Sequence, residues 1–405
     1  MSFRYGPNVH ADRPTYVASI SDKQVVKDGL KRLEIPNWKH WASQCNEKNI
    51  EQEFLYATIL MCTPNVTRLE IDDGTIREEE TGYKVPKWLK LIQYASNGNH
   101  FGRTHQFNQL ASFHIDLQFL KLRHLAPIFK LQSMRKVTLI GLVEWAETKE
   151  GEPGFLRRLL AAGTSSVEEL RLQKSFVHSD VLDVLISSAC KLRVFEYQSA
   201  DDRFPLNGEG GAHYWYPIDQ RVEYDWDSAT NSYKTIIRSL ETHCLSLETL
   251  RLRQKPSAQG YIQHTGVLET VGRFENLAHL EAPINTLTVE NSAENLVEKL
   301  PRSLQTLSTS IVWGVHPSYK PALDNLALCC REYLPSLQLI RLEPQIPLEN
   351  RNWNWEQIRK SLLDQAIRCE IQTTYIDDDS GDWDSHDDEL ETDSVSSSDV
   401  SLYSE

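Results

Sequence analysis

The chain has 405 residues, of which 40% are hydrophobic and 25% are charged, so it is long enough to bury a substantial core. Its formal net charge is -14, but twelve acidic residues and no Lys or Arg lie between residues 377 and 405, which leaves 43 basic against 45 acidic residues in the rest. This nearly neutral body lacks the basic stripe that phosphate contacts require, so the composition argues against nucleic acid as a ligand.

The seven cysteines are odd in number, dispersed and without a CxxC pair, which favours a reducing compartment over a disulfide framework or a zinc ribbon. Residues 1–20 lack the continuous apolar run of a secretory signal, and no stretch approaches the roughly 18 apolar residues of a membrane span. We therefore expect a cytoplasmic or nuclear protein that does not act at a membrane. Residues 1–50 are predicted to be a separate N-terminal segment that forms a helical cap.

Between residues 51 and 376 a short pattern, apolar-x-x-apolar-x-apolar, recurs nine times. The last two apolar positions are spaced by two, which places both side chains on one face of a short strand and the residue between them on the other face. Segments such as 179–190 and 234–244, with apolar residues at steps of three and four, precede most copies and predict helices. The copies begin at Val66, Leu110, Met134, Val167, Leu192, Leu247, Leu277, Leu304 and Leu337.

Repeated units of helix and strand predict an α/β fold of the leucine-rich-repeat-like solenoid type, with short parallel strands on the concave face and helices on the convex face. One unit cannot cover its own apolar side, whereas stacked neighbours bury a continuous core. A doubly wound Rossmann-like sheet also alternates helices and strands. It requires longer β-branched strands and a glycine-rich phosphate turn, and the sequence has neither.

The repeated units resemble the leucine-rich-repeat region of the irregular fungal F-box and leucine-rich-repeat proteins over roughly residues 50 to 376. Three phrases carry the resemblance, namely residues 62–71 (CTPNVTRLEI), 246–252 (SLETLRL) and 334–342 (LPSLQLIRL). The family's N-terminal F-box is not recognisable in residues 1–50. The resemblance implies a non-enzymatic protein-interaction module that recognises substrates for a ubiquitin ligase, with a cullin complex as a partner.

The longest interval between copies holds an insertion at residues 199–232. Loops of this length within a compact domain are functional or disordered, and aromatic residues are common anchors of protein interfaces. We therefore consider two roles for Tyr214, Trp215, Tyr216 and Trp226: they bind a partner, or they fold back to cover the neighbouring core.

The polar residues between the last two apolar positions form a second candidate surface, because stacked parallel strands would align them. Arg171, Glu196, Arg251, Glu281 and Arg341 would alternate in sign along this surface, which suits a protein partner of mixed charge. The alternative is that they are ordinary solvated strand residues.

An enzyme is the alternative hypothesis, with a convergent active site built from the 97–108 loop and the 199–232 insertion. His100, His105 and His114 lie in or near that loop, and His213 lies in the insertion. No carboxylate or cysteine joins the three histidines at metal-ligand spacing, and the common nucleophile, phosphate-loop and dinucleotide motifs are missing from the sequence. We therefore predict neither catalytic residues nor a metal or other cofactor.

The end of the chain shows three further features. Residues 353–367 predict a helix that covers the last repeat, and residues 370–376 predict a final strand. Residues 377–405 are acidic and serine-rich, which predicts a disordered tail that binds a basic partner or aids solubility. Ser385 and Ser396 each have an acidic residue three positions on, as acidophilic kinases prefer.

Overall fold

The computed structural model describes the greater part of the chain, and the structural statements below concern only that part. The insertion residues 200–232, the loop residues 98–106 and the tail 377–405 lie outside it, so the predictions for Tyr214, Trp215, Tyr216, Trp226, His100, His105 and His213 are not tested. The described residues are 1–3, 19–35, 37–44, 52–63, 65–72, 77–78, 82–83, 85–97, 107–117, 120–144, 154–199, 233–253, 268, 270–288, 296–311, 316–347, 355–372 and 374–376.

The described elements alternate between strands and helices along most of the chain. The strands are β1 (Ser2–Phe3), β2 (Arg68–Asp72), β3 (Arg77–Glu78), β4 (Gly82–Tyr83), β5 (Ser112–Asp116), β6 (Lys136–Ile140), β7 (Val143–Glu144), β8 (Glu169–Val177), β9 (Val194–Ser199), β10 (Thr249–Arg253), β11 (His279–Glu281), β12 (Thr306–Ile311), β13 (Leu339–Pro347), β14 (Arg368–Ile371) and β15 (Thr374–Ile376). The helices are α1 (Ile20–Arg32), α2 (Trp38–Gln44), α3 (Gln52–Cys62), α4 (Lys87–Ser96), α5 (Leu122–Phe129), α6 (Phe155–Leu159), α7 (Ser179–Ser188), α8 (Tyr233–Leu240), α9 (Ile284–Leu287), α10 (Leu296–Lys299), α11 (His316–Tyr333) and α12 (Trp355–Asp364).

One large parallel sheet contains all nine copies of the sequence pattern. Its strands are paired in the order β1-β2-β5-β6-β8-β9-β10-β11-β12-β13-β14, which is their order along the chain, and β7 and β15 pair with β8 and β13 beside this path. β3 and β4 form a separate antiparallel pair. The chain is therefore an α/β protein in which each strand of the main path lies beside the next one in sequence.

The register of the sheet aligns equivalent positions of the pattern. Phe195 of β9, for example, pairs with Leu170 of β8 and with Leu250 of β10, and all three side chains are buried. Consecutive helices pack on one another from α3 to α8 and again from α10 to α12. The apolar strand positions and the apolar helix faces belong to one cluster of buried side chains, which accounts for the strand spacing of two and the helix spacing of three and four.

The turns before the strands repeat one hydrogen bond. The hydroxyls of Ser133, Ser246 and Ser303 donate to the carbonyl oxygens of Leu110, Leu192 and Leu277, at 2.9, 2.8 and 2.9 Å. Each serine directly precedes the first apolar residue of its copy, and each acceptor is that first residue in the preceding copy. The turn serines therefore supply a hydrogen-bond donor to a backbone carbonyl of the preceding unit.

His243 joins two neighbouring units through its buried imidazole. Its Nδ1 accepts a hydrogen bond from the Leu192 backbone N–H at 3.4 Å, and its Nε2 lies 3.0 Å from the Ile186 carbonyl oxygen, so it donates there. The bond at Nδ1 requires the neutral ring, because a protonated Nδ1 cannot accept, whereas Nε2 donates in either form. Burial lowers the pKa of His243, and the hydrogen bond to Ile186 opposes this shift only in part.

Replacing His243 with asparagine should lower the free energy of unfolding by about 1–2 kcal/mol at pH 8, because buried hydrogen-bonding partners lose their donor or acceptor. A lowered pKa in the folded state means that the unfolded chain takes up the proton first as the pH falls below about 6.5. The contribution of His243 is thus fully present above that pH and is lost on acidification. Urea titrations at pH 8 and pH 5.5 should show that His243→Asn is less sensitive to acid than the wild-type chain.

The matched control for this prediction is His279→Asn, since His279 is exposed at the start of β11. This variant should follow the wild-type stability at both pH values. An equal loss of acid sensitivity in both variants would show that the buried imidazole is not the cause.

The N-terminal edge of the sheet was not predicted. β1 pairs in parallel with β2, and the amino group of Met1 donates to the Arg68 carbonyl oxygen at 3.0 Å. The two helices α1 and α2 follow within residues 19–44, and at the other end α12, β14 and β15 lie where the sequence predicted a helix and a strand. In the described part of the chain no helix combines the length and apolar character needed to cross a membrane.

Candidate functional site

The outer face of the sheet, opposite the buried strand positions, carries a continuous row of aligned residues. Strand register pairs each member with the next across ten strands, from β2 to β14. The row consists of Glu70, His114, Thr138, Arg171, Glu196, Arg251, Glu281, Ser308, Arg341 and Glu370. The structure thus brings the predicted residues Arg171, Glu196, Arg251 and Glu281 side by side, and it places Arg341 two strands beyond Glu281.

The centre of this row holds Arg171, Glu196 and Arg251, and Arg253 lies beside them, two residues beyond Arg251 on β10. We call Arg171, Arg251 and Arg253 around Glu196 the arginine cluster. Guanidinium nitrogens of Arg171 and Arg251 lie 3.8 and 3.7 Å from Oε2 of Glu196, and Nη1 of Arg253 lies 3.6 Å from Oε1. The Glu196 side chain is only 2% exposed. Sequence alternation predicted Glu196 as an outward residue available to a partner. In the structure its carboxylate is buried beneath the three arginines and pairs with their guanidinium groups.

Two further carboxylates flank the arginine cluster. Glu281 receives a bidentate pair from Arg253, whose Nη2 lies 2.9 Å from Oε2, and this hydrogen bonding raises the pKa of the Arg253 guanidinium. On the other side, Glu169 lies 3.3 Å from Arg171 and 3.2 Å from Nζ of Lys136. The charges are therefore shared across β6, β8, β9, β10 and β11, and every arginine of the cluster contacts two carboxylates.

Hydrogen bonding within the cluster is incomplete. Oε2 of Glu196 and Nε of Arg171 are buried without a hydrogen-bond partner among the described residues, whereas Oε1 of Glu196 accepts from Gln173 at 3.3 Å. The two carboxylate contacts of Arg251 measure 3.6 and 3.7 Å, beyond hydrogen-bonding distance. Arg251 consequently presents N–H donors at the surface of the sheet that its two carboxylate neighbours do not use.

A second charged row, which the sequence analysis missed, runs along the starts of the strands. Arg135 lies 3.5 Å from Glu168, and Arg193 lies 3.6 Å from Glu168 and 2.8 Å from Glu248. The pair between Arg193 and Glu248 is bidentate; it raises the pKa of the guanidinium and lowers that of the carboxyl group. These charges are paired with each other, so groups of opposite sign alternate along this edge.

Arg341 belongs to a separate group at the last strands. Its Nε donates to Glu370 at 2.8 Å, Arg368 contacts the same carboxylate at 2.6 Å, and the hydrogen bond from Arg341 lowers the pKa of Glu370. Glu370 was not singled out from the sequence, because its copy of the pattern is incomplete. Arg341 is 49% exposed and precedes Glu370, the last residue of the row.

The described residues give no support to a metal centre, because no group of three His, Cys, Asp or Glu side chains in them is placed to hold a metal ion. His114 lies in the outer row of β5, between Glu70 and Thr138. No family model, curated protein or solved structure matches the chain.

Proposed function

We propose that the chain is a leucine-rich-repeat-like solenoid that binds a protein partner through the outer face of its sheet. The observation that carries the proposal is the row of aligned polar and charged residues, continuous over ten parallel strands. Repeat proteins use such extended faces for recognition, and stacked units explain why each strand pairs with the next one in sequence. In this proposal the outer face is the concave face and the helices lie on the convex side.

The resemblance to F-box and leucine-rich-repeat proteins suggests the class of partner. We propose a substrate-recognition role of the kind those adaptors have, without catalytic residues in this chain, and in the cytoplasm or the nucleus. The central arginines favour a partner segment that carries carboxylates, because arginine forms bidentate pairs with them and Arg251 has donors that its neighbours leave unused.

Reversing one charge at the centre of the face should remove partner binding. Quantitative affinity capture with the full chain should recover partners, and Arg251→Glu should bind them at least about tenfold more weakly. The variant loses a charge-assisted contact and adds repulsion, which together cost well over 1.4 kcal/mol of binding free energy. The binding of recovered proteins is then measured with purified components. Recovery of a cullin-complex subunit would support the adaptor form of the proposal.

Arg302→Glu is the matched control, because Arg302 is an exposed arginine on the turn before β12 and lies outside the row. It should retain every partner. Circular dichroism establishes that both variants fold. Equal binding by wild-type chain and a folded Arg251→Glu variant would contradict the proposal that this face is the binding surface.

A further inference from the structure

The solvent side of the arginine cluster is more basic than its composition suggests. The basic groups are well exposed: 39% for Lys136, 27% for Arg171, 38% for Arg251 and 42% for Arg253. Of the four carboxylates around these groups, Glu196 is 2% exposed and Glu281 is 20% exposed. Glu169 reaches 35%, and Glu343, whose charge acts on Arg253, is half-buried. Lys136, Arg251 and Arg253 are each more exposed than Glu169, Glu196 or Glu281, so an approaching molecule contacts mainly guanidinium and ammonium groups.

The same chain carries the complementary charge. Residues 377–405 contain twelve Asp or Glu residues and no Lys or Arg, whereas the rest of the chain is nearly neutral. This segment follows β15, which pairs with β13 at the end of the sheet. A single segment thus holds almost all of the chain's excess charge and starts on the sheet that presents the arginines.

The distance between the two is short compared with the length of the segment. Four strand steps of about 4.8 Å lead from β10 to the edge beyond β13, where β14 and β15 lie, and they amount to about 19 Å across the sheet. Along the strand direction, Ile376 is level with Pro347, six residues beyond Arg341, which adds about 20 Å and gives a separation of about 28 Å. For the disordered tail that its composition predicts, 29 residues correspond to a root-mean-square end-to-end distance of about 30 Å. Its effective concentration at the cluster is then on the order of 1 mM.

We propose that residues 377–405 bind the arginine cluster in the free protein and cover the centre of the outer face. Their carboxylates pair with Arg251, whose contacts inside the sheet are longer than hydrogen bonds, and with the exposed sides of Arg171 and Arg253. This intramolecular contact does not depend on the proposed function. Its consequence does: if the outer face binds a partner, residues 377–405 compete with that partner for the arginine cluster. Phosphorylation at Ser385 and Ser396 adds negative charge and strengthens the contact.

The probe for the test is a synthetic peptide of residues 377–405. It is added to two full-length proteins, the wild-type chain and a tail-neutral chain. In the tail-neutral chain the twelve Asp and Glu residues of the tail are replaced by Asn and Gln. Fluorescence anisotropy at 50 mM salt measures peptide binding to each. The tail-neutral chain should bind the peptide, and the wild-type chain should bind it about tenfold more weakly, because its own tail at millimolar effective concentration competes for a site of about 100 µM affinity.

Variants in the tail-neutral chain locate the site. Arg251→Gln should weaken peptide binding about threefold or more, the double variant Arg251→Gln with Arg253→Gln should weaken it further, and Arg302→Gln should leave it unchanged. Glutamine removes the charge without adding repulsion, and circular dichroism identifies any variant that fails to fold. A peptide phosphorylated at Ser385 and Ser396 should bind more tightly than the unmodified peptide.

Three results would overturn the proposal: no binding of the peptide to the tail-neutral chain, equal binding to both full-length proteins, or equal weakening by the Arg302 and Arg251 variants. The last would show general attraction without a site. Because the measurement involves no partner protein, its failure is distinct from the failure of the proposed function, which is tested by capture with Arg251→Glu.

Discussion

Replacing Phe195 with alanine is expected to lower the free energy of unfolding by about 3–5 kcal/mol, the cost of removing a large side chain from a well-packed core. Phe195 is fully buried in β9, and its backbone pairs with Leu170 of β8 and Leu250 of β10. The cavity left by the substitution removes packing between the side chain at position 195 and its neighbours Leu170 and Leu250 in the adjacent units. Urea denaturation followed by circular dichroism and by tryptophan fluorescence measures the loss.

Leu245→Ala provides the comparison, because Leu245 is a leucine near the same strands but 64% exposed. Its expected effect is within about 0.5 kcal/mol, as for surface substitutions in general. If Phe195→Ala were as mild as Leu245→Ala, the aligned strand positions would not form the continuous core that the stacked-unit proposal requires.

The strands were predictable because the signal is local. In all nine copies of the pattern, the last apolar pair or its first member lies in a strand of the main sheet, as at Phe195 and Tyr197 or at Leu280. Two apolar residues that are two positions apart, with a polar residue between them, are enough to predict a strand with one buried and one outward face. The sheet order followed from repetition, since similar units pack best against their neighbours in sequence.

Other features were not predictable because they depend on contacts between distant segments. β1 has two residues and therefore no periodicity to detect, yet it is the strand that pairs with β2 at the start of the sheet order. Glu196 has the same local pattern as Glu70, but only Glu196 is covered by arginines from both neighbouring strands. The local alternation of apolar and polar residues predicts which face of the strand a residue occupies. Whether an outward-facing residue is also buried depends on the long side chains of the neighbouring strands.

The second charged row did have a signal in the sequence. Arg135, Glu168, Arg193 and Glu248 occupy the position directly after the first apolar residue in four successive copies, with alternating sign. Aligning the copies by that position, as well as by the outward strand position, would have found it. The alternation is then explained by pairing across adjacent turns.

Replacing Glu196 with glutamine should be the most damaging change of a charged residue in the sheet, with a loss of roughly 2–4 kcal/mol. It leaves three guanidinium groups around a buried neutral side chain. The loss stays below that of a fully buried pair because the arginines are 27–42% exposed and keep Glu169 or Glu281 as partners. Glu169→Gln removes a carboxylate that is 35% exposed, so about 0–1 kcal/mol is expected for it.

A double-mutant cycle separates this charge effect from simple loss of packing. Glutamine preserves the shape of Glu196, so the variants Glu196→Gln and Arg253→Gln, alone and combined, should differ mainly in charge. If the carboxylate holds the arginines in place, the combined variant loses less stability than the sum of the single ones, because Arg253→Gln removes one of the charges that Glu196→Gln leaves uncompensated. Strict additivity would contradict that role, and the binding face would then depend on Glu281 and Glu169 for the positions of its arginines.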